Sequence, residues 1–231
     1  MKLFSKQKRF GTALLLCWVV STVEAHAAVS ISELIASQGS VVSGDKRFDQ
    51  FSFSSTGDMP PADQVLVVSR EDFSGNYGIR LFGAFLDHPG DGPSELTVGY
   101  RVAVLDPDRR IAGATLAGNP TAIRTGAAVI TETFGDHGQL QIYDENPGSS
   151  KFIDSMTFDE ALPELDVEVL LVAESLVTGE NGGITISFVD QNFSQSVIPE
   201  PGSIVVWMGM ALLIGVGSVS IRYRKAVERC R

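Results

Sequence analysis

Along residues 94 to 104 apolar and polar side chains trade places at every step. Leu96, Val98, Tyr100, Val102 and Val104 point one way, with Thr97, Gly99, Arg101 and Ala103 the other. A period of two over that length predicts a half-buried antiparallel strand with Tyr100 on the core face. Shorter runs of the same kind predict strands around Phe51 and Phe53, over Val65 to Val68, Ile79 to Phe85, Ile111 to Leu116, Ala127 to Phe134, Leu140 to Tyr143, Phe152 to Phe158, Val167 to Val172 and Ile184 to Val189. Helical spacing occurs at Ile31, Leu34 and Ile35, behind Ser30 as a cap.

Turn residues separate these runs. The stretch from His88 to Pro93 and the triplet Asp106, Pro107 and Asp108 combine the positive φ of Gly, the fixed φ of Pro and the backbone-bonding carboxylate of Asp. Asn181, Gly182 and Gly183 read as a hairpin turn ahead of the last strand. About ten short strands without intervening helices predict an all-β fold, an antiparallel β-sandwich of jelly-roll-like type. No internal repeat is visible, which argues against a propeller or solenoid.

Both ends of the chain follow different rules. Lys2, Lys6, Lys8 and Arg9 precede an apolar stretch from Thr12 to Val20, and Ala25, His26 and Ala27 follow. That order predicts a signal peptide over 1–27 and a mature chain beginning near Ala28. At the other end an uncharged run, 204–221, spans roughly 27 Å as a helix, enough to cross a thin bilayer. Arg222, Arg224 and Lys225 follow at once, so the expected topology is tail inside and domain outside. Ahead of the span, Pro199 and Pro201 hold Glu200 in an extended segment that does not join the helix.

The expected organisation is therefore a signal peptide over 1–27, a β-sandwich ectodomain over 28–190, a polar linker over 191–198 and a C-terminal signal over 199–231. The ordered set of Pro199, Glu200 and Pro201, the apolar span and the basic tail resembles the PEP-CTERM sorting signal of bacterial exported proteins. The resemblance implies export to the cell surface or extracellular matrix and a membrane partner, exosortase, a cysteine protease or transpeptidase that reads the tripeptide. Gly44, Asp45, Lys46 and Phe48, the stretch 51–57, the stretch 94–104 with Gly118, Asn119 and Pro120, Thr131 to Thr133, and Ser187 to Asp190 resemble exported PEP-CTERM proteins of planctomycete-type bacteria. This second likeness implies a β domain associated with the surface or with exopolysaccharide, and transfers no catalytic residue.

Charge changes the picture once the ends are set aside. The chain has 18 basic and 28 acidic residues, but nine of the basic ones lie in the two ends, with only Glu24 and Glu228 among the acids. Residues 28–201 thus keep nine basic against 26 acidic side chains, a net charge of −17. Such a surface repels nucleic acid, so no nucleic-acid partner is expected. Cys17 and Cys230 both lie in the end segments, which excludes disulfides and thiol chemistry from the domain.

Candidate chemistry is sparse. His88 and His137 sit in separate turns without metal-binding spacing, and no G-x-S-x-G elbow occurs. No catalytic residue and no metal ligand is assigned, and no enzymatic activity is expected. Calcium stays an alternative at Asp87, Asp91 and Glu95 or at Asp106 and Asp108, which offer the oxygen ligands it takes but lack EF-hand or RTX spacing. Paired carboxylates across a groove would signal a glycosidase. Trp18 and Trp207 lie outside the domain, so an exopolysaccharide-binding role lacks its best stacking residue. Asn192, Phe193 and Ser194 match a glycosylation acceptor pattern. A structural or adhesive surface protein is the first expectation, with a carbohydrate-binding module as the alternative and a glycosidase third.

Overall fold

A computed structural model describes residues 28–90, 92–176 and 182–198. Two antiparallel sheets pack face to face. With strands numbered in chain order, the first sheet runs β1 (Val29–Ser30), β4 (Leu66–Glu71), β5 (Tyr77–Asp87), β14 (Gly183–Val197), β7 (Arg109–Gly118) and β12 (Ile153–Leu162), and β8 (Thr121–Ile123) also pairs with β14. The second runs β11 (Ser150–Lys151), β10 (Gln139–Asn146), β9 (Gly126–Thr133), β13 (Glu164–Ser175), β6 (Ser94–Val104), β3 (Lys46–Ser55) and β2 (Val41–Ser43). The longer strands are those the alternation predicts. Pieces of two or three residues, such as β1 and β11, are too short to carry a period.

The alternation on β6 translates directly into packing. Leu96, Val98, Tyr100 and Val102 are buried and face Ile79, Leu81, Leu116 and Val189 within the same core. Burying such side chains removes apolar surface from water at about 25 cal/mol per Å². One end of the core is aromatic: Phe48 stands 5.9 Å from Tyr100 and 6.0 Å from Phe193, which lies edge-on to Phe134 at 6.4 Å. The helix α1 (Ile31–Ser37) begins where expected, with Ser30 Oγ accepting from the Glu33 N–H at 3.2 Å. It buries Ile31 and Leu34 and ends at Gln38 in the left-handed region.

The segment 191–198 differs from its expectation as a linker. Its residues through Val197 form the second half of β14, the strand between β5 and β7 at the centre of the first sheet. Gln191, Asn192 and Phe193 are buried there. A strand with paired neighbours on both sides needs no apolar period when its polar side chains find partners. Asn192 Nδ2 donates to the Asn76 carbonyl at 2.9 Å, and Gln191 receives a bond from Tyr100. The same bond removes Asn192 as a glycosylation acceptor, because the amide nitrogen is engaged and buried.

The turn expected before the last strand also differs. β13 belongs to the second sheet and β14 to the first, so their connection crosses the sandwich and is no hairpin. Asn181 lies outside the described residues, and Gly183 opens β14. The expectations for 1–27 and 199–231, including Pro199, Glu200, Pro201, the 204–221 span, Arg222, Arg224 and Lys225, likewise fall outside them. Among the described residues no helix is long and apolar enough to cross a membrane.

Candidate functional site

The outward face of the second sheet carries an open cleft, and strand register builds it. Glu168 on β13 stands opposite both Thr133 on β9 and Gly99 on β6, and Gly99 stands opposite Ser52 on β3. These four residues form a row across four strands in which Gly99 contributes no side chain. The gap is a hollow of about 380 Å³ lined also by Gln50, Arg101 and Asp166. A second hollow of about 250 Å³ shares Arg101, Gly135 and Asp166 with it and continues past Asp136, His137 and Glu164.

Gly99 is essential to that shape. A Cβ placed there would stand 2.5 Å from Ser52 Oγ, so the floor is low because the position is glycine. The rim at Gln50 has its own cause. The β3–β6 register slips between Asp49 and Ser52, and Gln50 adopts a φ of 57°. Such a bulge bends the strand and re-aims its side chains. Gln50 lines the cleft while Phe51 turns inward beside Tyr100, at 5.9 Å.

The cleft offers polar groups of both signs. Arg101 Nε donates to Asp166 Oδ1 at 2.9 Å, and Glu164 lies 3.8 Å from the same guanidinium. The bond to Asp166 holds Arg101 above its ordinary pKa. Hydroxyls of Ser52 and Thr133 and the amide of Gln50 complete a set that can both donate and accept. The carboxylates stand in water, Asp166 at 76 % side-chain exposure and Glu164 at 56 %. A general acid for glycoside hydrolysis sits in a dry setting, and these two side chains are exposed.

Directly beneath the floor lies a buried polar seam. Tyr100 Oη donates to Gln191 Oε1 at 2.5 Å and lies 3.3 Å from Glu132 Oε1. Burial pushes the Glu132 carboxyl up to about 8, and burial together with Glu132 pushes the Tyr100 hydroxyl well above its ordinary value. Glu132 is therefore mostly protonated at neutral pH. Since the phenol has one proton, given to Gln191, the protonated carboxyl can donate to Tyr100 Oη. This raised carboxyl faces the core, away from the cleft.

Of the residues considered for calcium, Asp87 and Asp106 have partners within the chain. Asp87 is buried, and its two oxygens accept from Ser94 Oγ and from the Ser175 N–H, each at 2.6 Å. Asp106 Oδ1 accepts from the Asp108 N–H at 2.9 Å, and its other oxygen lies 3.4 Å from Arg109 Nε. Asp91 lies outside the described residues. Among the described residues no three His, Cys, Asp or Glu side chains converge on a metal position. His88 Nδ1 lies 2.9 Å from Asp58 Oδ2 beyond β5, whereas His137 packs on Phe158 in the 3-10 turn after β9.

Gln50 and Glu168 are not distinguished by sequence reasoning, and Ser52 and Thr133 enter it only within stretches of family resemblance. The available signal is Gly99, a glycine inside a strongly alternating strand, which marks a place where something approaches the backbone closely.

No family model and no curated protein matches the chain. Among solved structures it is similar to TmCBM61 in complex with β-1,4-galactotriose, at 10 % identity and a TM-score of 0.32 over 62 % of this chain and 88 % of that one. The family 32 CBM from Clostridium perfringens NanJ in complex with galactose is matched at 12 % identity and a TM-score of 0.23, over 71 % and 97 %. The xylan-binding module CBM15 is matched at 13 % identity and a TM-score of 0.24, over 73 % and 97 %. Scores and identities this low carry no argument about ligand.

Proposed function

We propose that this chain is an exported, non-catalytic polysaccharide-binding protein displayed outside the cytoplasmic membrane. The single observation that carries the binding reading is the cleft over Gly99. It is open along the sheet face, and hydroxyl, amide, guanidinium and carboxylate groups surround a floor without side chains. A sugar polymer presents ring hydroxyls that donate and accept, so it suits such a lining. An open cleft also suits a chain that continues past the site on both sides. The exposure of Asp166 and Glu164 supports binding without hydrolysis.

Export, the signal peptide over 1–27 and sorting through Pro199, Glu200 and Pro201 by an exosortase belong to the same proposal and rest on sequence order. So does membrane retention through the 204–221 span and the basic residues Arg222, Arg224 and Lys225. The adhesive role expected from the sequence is the broader form of this reading, with binding to extracellular polysaccharide as its mechanism. The jelly-roll-like reading is supported by a chain that crosses repeatedly between the two sheets.

The test is gel retardation of the full-length protein in detergent through immobilised neutral polysaccharides, β-1,4-galactan and xylan among them, beside the surface polymer of the producing cell. Retardation on at least one is expected, and its loss in Gly99→Val with unchanged melting would locate it in the cleft. Equal mobility on every polymer would overturn the reading. For sorting, intact mass of surface material is expected to show a C-terminus short of Arg231.

A further inference from the structure

The outward face of the first sheet carries paired arginines on an acidic domain. Asp190 on β14 is buried, and two arginines share it. Arg80 Nε donates to Asp190 Oδ1 at 2.6 Å, and the Arg80 Nη2 donates to Oδ2 at 2.9 Å. Arg70 Nε lies 3.0 Å from the same Oδ2, but this N–H is not aligned for a hydrogen bond. One buried carboxylate thus contacts two guanidiniums, on a domain whose residues 28–201 carry a net −17. Asp72 lies within coulombic reach of Arg70 and offsets part of its charge. Its oxygens already accept from the Ser74 and Asn76 N–H groups and from Asn76 Nδ2.

Both arginine side chains are 30 % exposed. Beside them lies an apolar platform. Phe188 pairs across the strands with Phe82, which is 48 % exposed, and the Arg80 guanidinium sits 4.2 Å over the Phe188 ring. The geometry has three parts: a half-open aromatic ring, a guanidinium fixed by a bidentate bond and a stacked ring, and a second guanidinium with unused donors. Fixed forks of this kind match a carboxylate in two-point fashion, and an aromatic face takes the C–H face of a sugar ring.

We propose that Arg70, Arg80 and Phe82 form a second binding site, on the sheet opposite the cleft, for a carboxylate-bearing sugar residue, a uronate, of an acidic polysaccharide. The proposal rests on the polysaccharide-binding reading above and adds the charge of the polymer. Its occupant is set by the donors that the two guanidiniums leave unused, which match a carboxylate at short range, while the acidic remainder of the domain repels anions elsewhere.

Polygalacturonate and its fully methyl-esterified form separate the charge from the chain. Full-length protein is expected to bind polygalacturonate, to weaken steeply with added salt, and to bind the ester much less. Arg70→Gln and Phe82→Ala, both at partly exposed positions, should each lower affinity for polygalacturonate by about tenfold while leaving binding to neutral polymers and the melting temperature unchanged. Wild-type affinity in both variants, equal binding of acid and ester, or loss only in Gly99→Val would overturn the second site. Binding of neutral polymers alone would overturn it and leave the cleft reading standing. Failure to bind any polymer would remove both.

Discussion

The Tyr100 hydroxyl on β6 and the Gln191 amide oxygen on β14 form a hydrogen bond between the two sheets, beside the buried carboxyl of Glu132. The bond joins the floor of the cleft to the strand at the centre of the opposite sheet. Replacing Tyr100 by Phe leaves Gln191 and Glu132 without it and should cost about 1–3 kcal/mol. The double variant Tyr100→Phe with Gln191→Leu should lose less than the two single changes summed, as read by denaturant melts.

Glu132 predicts an unusual pH dependence. Its carboxyl keeps its proton in the folded state up to about 8, whereas the ordinary value is 4.5. Between those values the unfolded chain binds fewer protons, so this group's contribution falls as pH rises and is fully lost above pH about 8. Glu132→Gln should remove that slope. At pH 9 the variant should be more stable than the parent by on the order of 5 kcal/mol, whereas at pH 4.5 the two should be close. Thermal melts across that range read the difference, and parallel curves would refute the protonated carboxyl.

Phe193 tests the correction at the end of the domain. It is fully buried against Phe48 and Phe134, so Phe193→Ala should cost about 3–5 kcal/mol. A true linker residue would tolerate the change. Deleting 191–198 should abolish cooperative unfolding altogether.

Gly44 tests a turn. It holds a φ of +55°, and a Cβ there would stand 2.3 Å from the Tyr77 ring. Gly44→Ala should destabilise by more than about 1 kcal/mol, from the backbone and the clash together. A neutral effect in a melt would show that the ring moves aside freely.

Calcium should matter little to the fold. Asp87 already spends its oxygens on Ser94 and Ser175, so melts with and without a chelator should nearly coincide. A large loss on chelation would reveal a bound cation that contributes to stability.

Much of the fold was legible because burial on one face imposes a period of two, as on β6, where the apolar positions became the core. The same rule failed at Gln191 to Val197. A central strand there uses buried amides whose partners, Tyr100 and Asn76, come from elsewhere in the chain. The cleft was legible only as the odd glycine at 99. Its other members are ordinary surface residues on four strands, and a site assembled by cross-strand register leaves no local spacing. The Arg70, Arg80 and Asp190 group is hidden for the same reason, since Asp190 lies 110 positions from Arg80.

The position of β14 sets an order on how this domain comes together. Its middle strand is the last of those described, so β4 with β5 and β7 with β12 remain separate fragments, each with a raw edge, until residue 197 is available. The first sheet therefore closes in one late step, when the final ribbon slides between its waiting neighbours.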